Sequence, residues 1–287
     1  MLFSPINSTA MMIELGKYNT LTVSRKVDFG FYMDDGGEGI LLPKRFAPPE
    51  LKIGDSLKVF VYHDSDNRLI ATTQDPKGIV GDIVLLKCVS ATGAGAFLDW
   101  GLMKDLFVAK SQQIMGMRTG DTYLVKIYID KQTNRIAASE KIDHFLSNEI
   151  LTVSEKEMVQ LMAYRKTDLG YSMIINQQHV GLLHDNEVFK DLVIGKIYEG
   201  YIKNILPDNK IDVALGKPGF QKVADESEHI LHLLQQNKGF LPYHDKSAPE
   251  EIYKVFGMSK KTFKMVVGTL YKKKKITLTE NGIELIG

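Results

Sequence analysis

The chain is short of cysteine: its 287 residues include one, Cys88. No internal disulfide can form, so a disulfide-stapled scaffold is excluded and the cytoplasm is the expected compartment. Cys88 lies in the apolar run IVLLKCV and reads as a small core residue rather than a reactive thiol. Long hydrophobic runs are missing too. None approaches the roughly 18 residues of a membrane-spanning helix, so no membrane partner is expected. The leader MLFSPINSTAM has neither a basic start nor a long apolar stretch, and residues 1–11 are left outside the fold. Net charge is nearly absent at +1, so the chain as a whole shows no electrostatic footprint, an average that hides local structure. Catalytic signatures are also lacking. There is no P-loop, no GXSXG and no HEXXH, and GAGAF leads a strand instead of opening a helix. His229 and His232 stand three apart on an expected helix, but no cysteine or paired carboxylates complete a metal site. No catalytic residue, metal or cofactor is expected.

What the sequence does have is a repeat. KVDFGFYM is followed by GILLP and KIGDSLKVFVYHDSDNRLIATT. SATGAGAFLDW is followed by KDLFVAK and RTGDTYLVKIYIDKQTNRIAAS, and RKTDLGYSMII by QHVGLLH and VIGKIYEGYIKNILPDNKIDVAL. Gly30, Gly95 and Gly170 are spaced 65 and 75 apart, and Gly54, Gly120 and Gly195 are spaced 66 and 75 apart. Two independent markers in register make the repeat secure. Each unit is a series of short alternating strands with turn signals, the pattern of a small all-β barrel. The units span 12–74, 77–140 and 152–217, with KIDHFLSNEIL (141–151) as a short helical connector. The acidic turn DDGGEG lacks the ligand spacing of a calcium loop and reads as a solvated hairpin.

Each unit resembles the S-one RNA-binding domain, an OB-fold barrel named for a ribosomal protein. DFGFY, GILLP, IGD and HDSDNRLIAT carry the likeness in the first unit. GAGAF, LFVAK, TGD and IDKQTNRIAAS carry it in the second, and DLGYS, GLLH, IGK and PDNKIDVAL in the third. The resemblance implies single-stranded RNA as partner, bound by stacking on aromatics in a positively charged groove. It maps the RNA face onto Phe29, Tyr32, Leu42, Asp64 and Arg68 in the first unit, and onto Ala94, Phe97, Val108, Asp130 and Arg135 in the second. In the third it maps onto Leu169, Ser172, His184, an acid near Asp208, and Lys210. No unit keeps the full set. The first has the best stacking pair, and Tyr164, Arg165, Lys166 and Tyr171, with Lys203, are candidate substitutes in the third.

From Ala224 the apolar period changes from two to 3.6. Asp225 and Glu228 form a capping-box pattern before ILHLL, Ser247 and Ser259 stand at the starts of two further helices, and a hairpin turns at Asn281-Gly282. Helix, short strand, helix, lysine-rich helix and hairpin, over 224–287, is the order of a winged helix. Its candidate phosphate contacts are Lys260, Lys261, Lys264, Lys272 and Lys273, in a stretch from Lys254 to Lys275 that holds no acid. The fold expected is mainly β with an α+β tail: three tandem OB-fold barrels and a winged helix. That arrangement resembles the conserved virulence factor B family, bacterial multi-domain RNA-binding proteins linked to control of virulence-associated gene expression. The resemblance implies a non-catalytic post-transcriptional regulator, with the main RNA contact on the third barrel and winged helix and Phe29 and Tyr32 as a secondary platform. The competing class is a DNA-binding transcription regulator led by the winged helix. A weaker third is an accessory subunit partnered by the ribosome or RNA-processing machinery.

Overall fold

The structure is a computed structural model that describes residues 13–188, 191–216 and 219–286. The leader expected at 1–11 lies outside the described residues. The chain divides into two compact units, Met1–Leu146 and Ser147–Gly287.

The first unit holds two barrels. Strands β1 (Tyr18–Val27), β2 (Gly30–Met33), β3 (Ile40–Pro43), β4 (Ser56–His63) and β5 (Leu69–Thr72) close in the order β1-β2-β3-β5-β4. Alternation puts Leu21, Val23, Phe31, Met33, Ile40 and Leu42 on the inner face, where they form the core. The second set is β6 (Ile83–Ala91), β7 (Gly95–Leu98), β8 (Leu106–Ala109), β9 (Thr122–Asp130) and β10 (Arg135–Ser139), in the order β10-β9-β6-β7-β8. Here β8 and β10 lie side by side without a ladder, so the ring is not closed by hydrogen bonds. Cys88 is buried in this core, as its apolar setting predicts.

Strand β4 joins the two barrels. Its run VFVY is apolar in both phases of the strand period, the mark of a strand buried on both faces. Val59 and Val61 face their own barrel, while Phe60 and Tyr62 enter the core of the second. Trp100 receives them edge-on, with ring centroids 5.5 and 6.4 Å away, and its indole N–H donates to the Gly78 carbonyl at 2.7 Å. The connector expected to be helical is a short 3-10 turn, Ile142–Phe145, followed by irregular chain.

The second unit opens with β11 (Met158–Thr167), β12 (Gly170–Ile175), β13 (His179–His184), β14 (Ile197–Ile205) and β15 (Ile211–Leu215), again a closed barrel in the order β11-β12-β13-β15-β14. Then follow α1 (Gly219–Gln236), β16 (Phe240–Leu241), α2 (Pro249–Phe256), α3 (Lys260–Lys272), β17 (Ile276–Thr279) and β18 (Gly282–Leu285), with the strands ordered β16-β18-β17. Ile230, Leu234, Ile252, Phe256, Phe263 and Val266 build the core of this winged helix.

Three local readings change. Helix α1 begins at Gly219, so the Asp225–Glu228 spacing lies inside a helix rather than at its start. Ala248, not Ser247, is the N-cap residue of α2; the Ser247 hydroxyl instead accepts from the His244 N–H at 3.0 Å, and Pro249 supplies the helical start. The hairpin pairs Thr279 with Gly282, so its two turn residues are Glu280 and Asn281. Ser259 does cap α3, accepting from the Thr262 N–H at 3.1 Å.

Candidate nucleic-acid interface

The repeated glycine of the three barrels has a steric cause. A Cβ on Gly30, Gly95 or Gly170 would lie 2.2, 2.3 or 2.0 Å from the carbonyl oxygen of Leu42, Val108 or Leu183. The first residue of β2, β7 and β12 therefore has room only for hydrogen, because the neighbouring strand's backbone comes that close. This glycine also sets which side chains face out.

In the first barrel, β1 and β2 are joined by the two-residue turn Asp28–Phe29, and the ladder runs Val27 to Gly30, Lys26 to Phe31 and Arg25 to Tyr32. Phe29 stands at the tip, 59% exposed, while Phe31 is buried at 6%. Tyr32 is half-buried on the outer face, and the Arg25 guanidinium sits 3.9 Å from its ring centroid, a cation–π pair. Arg25 went unnoticed in the sequence, although counting back across the turn from Tyr32 reaches it. Arg68 is tied to acids. Its Nε and Nη2 donate to Asp64 Oδ2 at 3.0 and 2.8 Å, and Nη2 also pairs with Asp66 at 2.8 Å. Burial alone would raise the Asp64 pKa, but the Arg68 backbone and side-chain bonds outweigh it and hold the carboxyl below its ordinary value. In DDGGEG, Asp34 accepts from the Gly36 N–H and Asp35 from those of Gly37 and Gly39, each at 2.9 Å, so both carboxylates brace the turn.

The ladders correct two family positions. Gly170 pairs with His184, Gly30 with Pro43 and Gly95 with Ala109. The counterparts of His184 are therefore Pro43 and Ala109. Leu42 and Val108 are one residue away, and a one-residue slip on a strand reverses the face: both are fully buried. In the third barrel the Leu206 N–H donates to the Lys210 carbonyl as the Asp64 N–H does to that of Arg68. Leu206 thus holds the Asp64 place, and Asp208 is one of the turn residues.

The third barrel presents fewer free groups than its composition implies. Tyr171 is 3% exposed, with its hydroxyl donating to Asp191 Oδ1 at 3.0 Å, so it is a core ring and not a stacking surface. Lys166 pairs with Asp191 at 3.2 Å, Lys203 with Glu187, and Lys210 with Asp208. His184 Nε2 lies 2.9 Å from Asp212 Oδ1. Arg165 lies over Tyr164 at 4.7 Å, and the Phe29 tip position is taken by Leu169, 67% exposed.

The winged helix differs in charge. Phe263, Val266, Val267 and Leu270 bury one face of α3, leaving Lys261, Lys264 and Lys272 exposed and Lys260 half-exposed. Lys273, Lys274 and Lys275 continue the exposed run. Lys264 lies 3.9 Å from Asp245; among the described residues no acid pairs with Lys260, Lys261 or Lys272–Lys275. The helix places its two basic ends about 18 Å apart at 1.5 Å per residue.

In the second barrel Phe97 packs on Phe107 across the ladder, centroids 5.2 Å apart, and Arg135 Nε donates to Asn67 Oδ1 of the first barrel at 2.9 Å. Phe97 and Arg135 line one cavity with Tyr62 and His63, residues that the sequence did not single out.

Repeated five-stranded barrels with outward aromatics and a winged helix with an unpaired lysine surface define a nucleic-acid-binding protein built from tandem modules. Residues 15–74 match the S1 domain, and residues 228–285 match the CvfB-like winged helix domain. The chain is 28% identical over 263 residues to conserved virulence factor B of Staphylococcus epidermidis, covering 86% of this chain and 88% of that one. It is 26% identical over 275 residues to the Bacillus subtilis protein YitL, covering 93% and 92%. A solved multidomain protein with nucleic acid binding domains from Streptococcus pneumoniae aligns at 23% identity, 95% and 98% coverage and a TM-score of 0.40. In its relatives and its domains the chain matches the conserved virulence factor B family. Among the described residues, no helix is long and apolar enough to cross a membrane.

Proposed function

We propose that this chain is a non-catalytic, cytoplasmic regulator of gene expression that binds single-stranded RNA. The observation that carries this reading is the outer face of the first barrel, where exposed Phe29 and Arg25-backed Tyr32 offer ring surfaces. Such surfaces take unpaired bases, at ~1–3 kcal/mol per stack, and a closed duplex presents none. The unpaired lysines of α3 and its C-terminal extension supply backbone charge, while the cations of the third barrel are largely spent on its own acids.

The lysines on the solvent side of α3 favour one other reading, a helix laid in a DNA groove. Fluorescence anisotropy with oligo-U, oligo-A and a DNA duplex of equal length separates the two. Tighter binding of the single strands, lost in part on Phe29→Ala, is the expected result. Preference for the duplex overturns the RNA reading in favour of a transcription regulator.

A further inference from the structure

Arg68 and Arg135 hold corresponding places in the first two barrels, yet the structure gives them different partners. Arg68 turns back on its own barrel, to Asp64 and Asp66. Arg135 reaches into the neighbouring barrel, its Nε donating to Asn67 Oδ1 at 2.9 Å. The acid of its own barrel, Asp130, accepts instead from the Gln132 N–H and the Thr133 hydroxyl. A second cation of the second barrel grips the same turn: Lys104 Nζ donates to the His63 and Asp64 carbonyls at 3.2 and 2.8 Å. The turn that joins β4 to β5 is thus held at its start by Lys104 and near its end by Arg135. Asn67 suits that grip. Its φ is +65°, a left-handed conformation that asparagine tolerates, and its N–H donates to the Asp64 carbonyl at 3.1 Å, leaving the side-chain oxygen for Arg135.

The held turn borders the ring face of the first barrel. The ladders set Tyr32 beside Leu41 and Leu41 beside Ile70, and Arg68 stands two residues before Ile70, the separation that returns to the same side of a strand. The second barrel has no tip ring of its own, since Ala94 precedes Gly95 where Phe29 precedes Gly30. We propose that Arg135 is a positioning residue: through Asn67, and with Lys104 anchoring the start of the turn, it fixes Arg68 beside Tyr32 for a single strand that Arg135 itself does not touch. The second barrel then serves binding by holding the face of the first. This deepens the RNA reading, on which it rests for its ligand. A residue that acts through one hydrogen bond can shift affinity only by what that bond is worth.

The test is a double-mutant cycle in the full chain, with labelled oligo-U followed by anisotropy across a salt series. Arg135→Ala removes the donor, and Asn67→Gly removes the acceptor while allowing the positive φ. Both positions are exposed. Trp100, the only tryptophan and part of the second barrel's core, reports the urea midpoint of each variant. Each single variant is expected to weaken oligo-U binding roughly two- to tenfold, the worth of one hydrogen bond. The double variant should bind no more weakly than the weaker single, and the salt slope should stay parental. A slope flattened by ~0.7 in Arg135→Ala, with Asn67→Gly binding as the parent does, makes Arg135 a direct phosphate contact and overturns the proposal. Losses that multiply in the double variant overturn it too, because the two residues then act separately. A lowered urea midpoint with parental affinity reduces the bond to a structural one and likewise overturns it. In these three cases the parent still binds and the RNA reading stands. A parent chain that binds no oligo-U overturns that reading and the proposal with it.

Discussion

At the scale of single residues, position in the fold decides what a side chain does more than its identity. His63 is pushed below its ordinary pKa first by burial and then by the Lys104 and Arg135 charges, with Asp64 acting weakly the other way. Above the ordinary histidine value of about 6.5 both folded and unfolded chains hold it neutral. Below that value the unfolded chain takes up a proton that the folded chain refuses, so stability falls with pH until the folded pKa is reached. Urea denaturation followed by Trp100 emission at pH 7, 6 and 5 is expected to show this loss, and His63→Gln to remove part of the slope. An unchanged slope in the variant would mean that other groups govern the pH response. Glycines make the same point. Gly170→Ala drives a Cβ to 2.0 Å from the Leu183 oxygen, whereas a Cβ on Gly54 meets nothing within 4 Å. Overpacking at Gly170 is expected to cost about 1–3 kcal/mol, on top of the backbone strain that its φ of +140° also imposes. Gly54→Ala, with φ at +91°, bears only the strain of a side chain at positive φ, about 1–2 kcal/mol. Denaturant midpoints of the two variants measure the difference, and equal costs would show that the close approach is not what holds Gly170.

At the scale of elements, strands and helices were legible where one local signal sufficed. Gly-centred strands, the GD turns, the Ser259 cap and the apolar face of α3 all follow from spacing that a few neighbours enforce. The misses have equally local causes. An acid three residues before a glutamate looks the same at a helix start and within α1. Leu42 and Pro43 are adjacent, and only the ladder from Gly30 tells which one faces out. Strand β4 carried a signal that sequence reading passed over: VFVY is apolar in both phases, whereas LVKIYID in β9 breaks one phase with Lys126 and Asp130. That pattern has an energetic consequence. Phe60 is fully buried, yet it packs against Trp100 of the second barrel, not into its own. Phe60→Ala is therefore expected to destabilise the barrel pair by about 3–5 kcal/mol. Trp100 emission, which belongs to the second barrel, should shift to a lower urea midpoint even though the change is in the first. If Trp100 keeps its parental midpoint, the two barrels do not unfold together.

At the scale of the whole molecule, the division of labour among modules was the least legible. The repeat announces three equivalent barrels, but sequence spacing cannot show which cations are already paired or which barrel faces converge. Tyr62 and Tyr128 lie 66 residues apart and meet only because β4 packs on the second barrel. Composition likewise assigns the third barrel a basic surface that its own Asp191, Glu187 and Asp208 largely cancel. With a net charge of +1 the chain has little long-range attraction for a polyanion, so the salt dependence of binding has to come from local, unpaired lysines. Each cation that displaces a counterion from a single strand contributes ~0.7 to the slope of log K against log salt. Lys261→Ala/Lys272→Ala/Lys273→Ala is therefore expected to flatten that slope by about 2. Lys166→Ala/Lys203→Ala/Lys210→Ala removes the same formal charge from partners that already neutralise it, and should change the slope by less than about 1. Anisotropy titrations of oligo-U across a salt series measure both. The opposite ranking would move the charged contact from the winged helix to the third barrel, and would mean that its ion pairs open when RNA binds.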